Sequence, residues 1–152
     1  MNYLQHPFGP LFNEHSRVLI LGSFPSVKSR EQNFFYGHPQ NRFWRVIASV
    51  FDQPVPHSIE EKKQLILTNG LALWDSIAGC EITGSSDASI RNARANDIGI
   101  ILDNCNIERI YCIFFLSVGI LSAASSTCLR IYSSSHAHIA DMPASLPLYS
   151  IS

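Results

Sequence analysis

Residues 34 to 44 read Phe-Phe-Tyr-Gly-His-Pro-Gln-Asn-Arg-Phe-Trp and concentrate more usable chemistry than any other stretch of the chain. Five aromatics fall within eleven positions, with His38, Gln40, Asn41 and Arg42 between them. Aromatic faces can sandwich a planar ring. A side-chain amide can hydrogen-bond a base edge or hold a water, and a guanidinium can take a phosphate. Together these are the parts of a nucleobase site. A second candidate is the tight loop Gly22-Ser-Phe-Pro-Ser26. Its backbone can approach a ligand, with Ser23 and Ser26 as hydrogen-bonding groups, or it can be a turn with a serine cap. It is not a P-loop, because GxxxxGK[ST] is absent. Ser23 also lacks the G-x-S-x-G setting of a hydrolase nucleophile.

Each candidate has a plainer alternative. Asn41 can orient a water, or it can cap a helix that begins there. His38 can stabilise developing negative charge or support its own loop. Asp75 can be a general base at a strand end or cap the turn that follows. His136-Ala-His138 has no third ligand in view. Cys80, Cys105, Cys112 and Cys128 form no CxxC pair and no zinc-type or iron–sulfur spacing. They read as reduced thiols of a cytoplasmic protein. No metal and no other cofactor is expected.

The elements that must hold these groups alternate in type. Arg17-Val-Leu-Ile-Leu-Gly22 is an apolar, branched run that predicts a buried strand entering the Gly22–Ser26 loop. Phe43, Val46, Ile47 and Val50 recur at helical spacing and predict a helix over about 41–51, closed by Pro54 and Pro56. Ser58-Ile-Glu-Glu61 matches a capping box for a helix to Thr68, and Asn69-Gly70 stops it. Leu71-Ala-Leu-Trp74 predicts a second buried strand with Asp75 at its carboxyl end. Residues 79–96 read as a polar loop, with Asn96 able to cap a short helix over 97–104, and 107–115 as a third strand. Residues 1–16 read as an irregular lead-in. Strands alternating with helices predict an α/β fold with a central, mostly parallel sheet. Ligands of such sheets sit at the carboxyl ends of the strands, where the loops after Gly22 and at Asp75 lie.

Composition narrows the class further. A chain of 152 residues with 46% hydrophobic content predicts one globular domain over 1–152. The net charge of −1 exerts no global pull on nucleic acid. Locally, Lys28, Arg30, Arg42 and Arg45 are opposed only by Glu31. The N-terminus lacks a signal pattern, and no apolar run reaches about 18 residues. Neither secretion nor membrane insertion is expected, and a cytoplasmic monomer is.

Leu19-Ile-Leu-Gly-Ser-Phe-Pro-Ser-Val-Lys-Ser-Arg30 followed by Phe35-Tyr-Gly-His-Pro-Gln-Asn-Arg-Phe-Trp44 resembles the hypoxanthine-DNA glycosylases, one branch of the uracil-DNA glycosylase superfamily. Gly70-Leu-Ala-Leu-Trp-Asp75, Gly84-Ser-Ser-Asp-Ala-Ser-Ile-Arg-Asn92 and Asn96-Asp-Ile98 look like the same branch. The resemblance covers about residues 5 to 115. It implies a three-layer αβα fold and a monofunctional enzyme that removes hypoxanthine from deoxyinosine in DNA. Many superfamily members carry a catalytic asparagine or aspartate at the place matching Phe24. In this branch that duty falls to the asparagine matching Asn41. By the same resemblance Phe24, Phe35, Tyr36 and His38 would bind the base, while Ser23, Pro25, Ser26 and Arg42 would meet the DNA backbone. A G/U mismatch-specific uracil-DNA glycosylase is the enzyme alternative.

The chain departs from this pattern after Phe115. Residues 116–152 are rich in serine and alanine, with Arg130 and Asp141 as their charged residues. The branch has a second motif resembling Leu-Pro-Ser-Thr-Ser-Pro-Ala, where this chain has Met142-Pro-Ala-Ser-Leu-Pro147. A reading-frame change shortly after Phe115 would account for the shift, and an inactive nucleic-acid-binding relative is the corresponding functional alternative.

Overall fold

The computed structural model describes residues 2–113. The atypical tail, its proline motif and His136 and His138 lie outside the described residues. Among the described residues, a parallel sheet of three strands forms the centre, in the order β3–β2–β6. Its strands are β2 (Val18–Gly22), β3 (Leu71–Asp75) and β6 (Arg109–Cys112). The apolar runs at 18–22 and 71–75 are almost wholly buried, as befits parallel strands covered on both faces. The α/β expectation with a parallel central sheet therefore holds.

Between β2 and β3 run α1 (Val27–Gln32), α2 (Phe43–Val50) and α3 (Ile59–Thr68). Helix α2 buries Phe43, Trp44 and Ala48, spaced to share one face. Ser58 caps α3, its Oγ accepting from the Glu61 N–H at 3.1 Å. Glu61 returns a bond one residue further back than the standard capping box, accepting from His57 N–H at 2.7 Å. Gly70 has φ +69° and reverses the chain into β3, a conformation that suits a residue without Cβ.

Several expectations need correction. The polar stretch 79–96 is not a loop. Strands β4 (Ile77–Glu81) and β5 (Arg91–Ala95) occupy much of it and pair antiparallel. The lead-in also contains a strand, β1 (Tyr3–Gln5), which pairs with β4. In this second sheet, ordered β1–β4–β5, the edge strand β5 exposes Arg91, Asn92 and Arg94. An antiparallel sheet can leave one face and its edge in water, so polarity was a poor guide to strand content. Helix α1 follows directly on Ser26, which caps it by accepting from Ser29 N–H at 3.2 Å. Helix α2 starts at Phe43 with Arg42 at the N-cap position, and Asn41, one residue earlier, supplies the capping bond by accepting from the Phe43 N–H. Before α4 (Gly99–Leu102), Asp97 rather than Asn96 accepts from the Gly99 N–H. Asn96 instead donates to the Asp75 and Ile77 carbonyls.

Candidate active site

The parallel register places Gly22, the last residue of β2, beside Asp75, the last of β3. The chain then passes from β3 to β4 through Ser76 alone, where the two sheets meet. This bend is fastened by Ser76 N–H to Gly22 carbonyl at 2.7 Å and Ile77 N–H to Ser23 carbonyl at 3.1 Å. At these strand ends lies a cavity of about 140 Å³. That is well below the roughly 300–1,000 Å³ of sites for drug-sized ligands, so it suits a single heterocycle. Ser23, Phe24, Pro25, Ser26, Phe35, Tyr36 and Asn41 all line it, together with Gly22, Ser29, Asp75, Asp87 and Ile113.

A buried hydrogen-bonded pair organises the cavity floor. His6 Nε2 lies 2.7 Å from Asp75 Oδ2, with side chains 4% and 7% exposed. His6 Nδ1 accepts from the Phe8 N–H at 3.4 Å. In the neutral ring this leaves the proton on Nε2, donated to the carboxylate. The ring is itself wedged edge-on against Phe8 and Phe24. Tyr36 brings its hydroxyl to the same floor. That oxygen is buried without a hydrogen-bond partner among the described residues. Burial, and then the nearby Asp75 charge, push the phenol well above its ordinary range, so it stays protonated. Tyr36 also adopts φ +51°, an uncommon conformation for a bulky side chain.

On the cavity wall stands Asp87, in the single 3-10 turn Asp87–Ser89 between β4 and β5. Ser23 Oγ donates to its Oδ1 at 2.8 Å. Burial raises the Asp87 carboxyl above its ordinary value, the Ser23 bond partly offsets this, and the Asp75 charge adds to the rise. Arg30 joins the same two loops from outside. It donates to the Pro25 carbonyl at 2.8 Å and to the Gly84 carbonyl at 3.3 Å, with its guanidinium 5.7 Å from the Phe24 ring centre.

Asn41 enters from the third side. Its own N–H donates to the His38 carbonyl at 2.9 Å, closing a turn. Its Oδ1 accepts from the Phe43 N–H at 2.8 Å. One end of the amide is thus fixed, and the amino end is left with hydrogen atoms to donate.

The aromatic segment divides. Phe34 is core, stacked on Trp44 at 6.0 Å, and does not line the cavity. Phe35 packs edge-on against Phe8 at 4.8 Å and Tyr36 stacks on Phe43 at 3.8 Å. Both line the cavity, but one face of Tyr36 is already covered. His38 and Arg42 are exposed and stand outside the cavity lining. His38 Nδ1 accepts from the Gln40 N–H at 3.1 Å within its own loop. Ser23 and Ser26 line the cavity with their hydroxyls bonded to Asp87 and Ser29. Sequence reasoning did not pick out His6, Asp87 or Arg30 as site residues. His6 had no signal, being one histidine in an unpatterned lead-in, whereas Asp87 sat inside a segment that already carried the family resemblance.

Among the described residues no helix is long and apolar enough to cross a membrane, and no group of three or more metal-ligating side chains occurs. No protein-family model matches the chain. Two curated relatives do. The hypoxanthine DNA glycosylase of Methanosarcina barkeri is 30% identical over 97 residues, covering 63% of this chain and 61% of that protein. The hypoxanthine DNA glycosylase of Methanosarcina acetivorans is 30% identical over 110 residues, covering 72% and 70%. A solution NMR structure of a proposed uracil DNA glycosylase from M. acetivorans superposes with a TM-score of 0.63 at 27% identity, covering 71% of this chain and 68% of that one. Fold and cavity together define an α/β protein of the uracil-DNA-glycosylase-like class. More narrowly, the chain belongs to the hypoxanthine DNA glycosylase family, as the motifs at 19–44 implied. The shared segments span about two thirds of the relatives' length.

Proposed function

We propose that this protein is a monofunctional DNA glycosylase that hydrolyses the N-glycosidic bond of hypoxanthine in DNA, acting as a cytoplasmic monomer built as one domain. One observation carries the reading. Asn41 of the Gly-His-Pro-Gln-Asn segment and the Gly22–Ser26 loop line one cavity the size of a single base, in a chain whose relatives bear that name. The target base leaves the stack and enters the cavity. Phe24, Phe35 and Tyr36 contact it, with His38 near the mouth. Asn41 positions a base edge or the attacking water, and the sugar passes through an oxocarbenium-like state. Ser23, Pro25, Ser26 and Arg42 meet the adjoining backbone.

The structural neighbour described as a proposed uracil DNA glycosylase favours uracil as the second substrate reading. Release of free base from inosine- and uracil-containing duplexes decides between them. Asn41→Ala is expected to lower hypoxanthine release by about 10²-fold, the usual order for removing one positioned donor, with DNA affinity largely kept. Near-normal excision by this variant would refute the assignment of Asn41. Binding of DNA by the unaltered protein without release of either base would favour an inactive nucleic-acid-binding relative.

A further inference from the structure

We propose that Asp87 is a second catalytic residue of this site, the general acid that protonates the departing purine and then accepts the proton of the attacking water. The inference rests on the glycosylase reading and names a part of that chemistry which Asn41 cannot perform. A purine expelled from N9 as an anion is a poor leaving group, and a proton delivered to N7 lets it leave neutral. An amide has no such proton to give. His38 stands outside the cavity lining.

The ionisable groups lining the cavity among the described residues are Asp75, Asp87 and Tyr36. Tyr36 holds its proton too tightly. Asp75 has Oδ2 engaged by His6 at 2.7 Å. Asp87 differs from both. Ser23 occupies Oδ1 only, and no hydrogen bond among the described residues engages Oδ2. The charged and titratable groups around it are Asp75 from β3, with Tyr36 and His6 beyond, Cys80 from β4, and Arg30 from α1. Arg91 follows on its own segment and donates to the Ala88 and Ile90 carbonyls. Arg30 is likewise committed to backbone carbonyls. The two carboxyls of the cavity thus differ in geometry, one engaged by His6 and the other with Oδ2 open to a ligand.

The step balances. Asp87 Oδ2–H gives its proton to N7 while the C1′–N9 electron pair moves onto the base. Water oxygen bonds to C1′, and the proton it sheds returns to Asp87. The products are hypoxanthine and an abasic deoxyribose.

The test uses the full chain and Asp87→Asn, which keeps an acceptor for Ser23, with Asp87→Glu as the conservative partner. Single-turnover release is followed against pH on inosine and uracil duplexes, and side-chain carboxyl carbons are titrated by NMR. Asp87→Asn should lose about 10²-fold or more on inosine, the order expected of an acid–base group. The loss should be smaller on uracil, which has no N7 for this acid to protonate. The fall of the wild-type inosine rate with rising pH should vanish in Asp87→Asn, and Asp87→Glu should recover part of the activity. The carboxyl signal missing from Asp87→Asn should titrate above the ordinary aspartate value. Equal losses on both bases with an unchanged pH profile would overturn the proposal, as would a signal titrating at or below that value. Should the wild-type chain release neither base at any pH while binding DNA, the glycosylase reading fails and this inference falls with it.

Discussion

Replacing Gly22 by alanine tests how tightly the cavity floor is built. A Cβ at this position would lie 2.3 Å from Asp75 Oδ1, 3.5 Å from Asp75 Cγ and 3.2 Å from the Tyr36 hydroxyl. Ordinary non-bonded contact begins at about 3.5 Å, so the carboxylate must retreat by about 1 Å. It has little freedom to do so. Its other oxygen is held by His6 at 2.7 Å, it is 5% exposed, and its backbone is locked in register with Gly22 itself. Forcing extra volume into packed space costs about 1–3 kcal/mol. Losing a hydrogen bond to a charged group adds about 1.5–3 kcal/mol. The expected loss is therefore about 3–5 kcal/mol, a large share of the roughly 5–15 kcal/mol that holds a typical domain together. Urea unfolding of Gly22→Ala and wild type measures it. Repeating the substitution in an Asp75→Ala background removes the clashing oxygen, and its cost there should fall below about 1 kcal/mol. The same cost in both backgrounds, or no cost in the first, would show that Gly22 is not kept small by Asp75.

Further outcomes follow from individual groups. Because the folded state raises the Asp87 carboxyl, it binds that proton more tightly than the unfolded chain, so stability falls as pH rises from about 4 through the raised value. Asp87→Asn should flatten this decline, and a difference between the two urea midpoints that does not vary with pH would contradict it. Cys80 is wholly buried, and burial pushes its thiol up to about 11. It should resist iodoacetamide at neutral pH until the protein is unfolded, and peptide mass spectrometry showing equal native labelling would count against this. Ser58→Ala removes the cap of α3 and should cost about 1 kcal/mol in the same urea assay, whereas an unchanged midpoint would mean the cap is idle.

The parallel core was legible because its signals are local. The apolar runs ending at Gly22 and Asp75, the cap at Ser58 and the reversal at Gly70 each depend on near neighbours in the chain. The antiparallel sheet was hidden because β5 is a half-exposed edge strand. Its arginines and asparagine carry the composition of a loop, although its backbone is paired to β4. The aromatic segment was legible as important but not as divided. Nothing in its order says that Phe34 and Trp44 belong to the core while Phe35 and Tyr36 reach the cavity.

By itself the sequence determined the α/β alternation, the family, and the two loops that meet at the site. Tertiary structure alone decided what those loops face. His6 meets Asp75 across 69 positions, and Ser23 meets Asp87 across 64. Neither pair has any spacing to betray it. Each exists because β1 and β5 are laid against β4 and so brought to the carboxyl ends of β2 and β3. Chain periodicity records which face of an element is apolar. Which distant polar group is then buried against which other depends on how whole sheets pack, and that packing set the charge balance of the cavity.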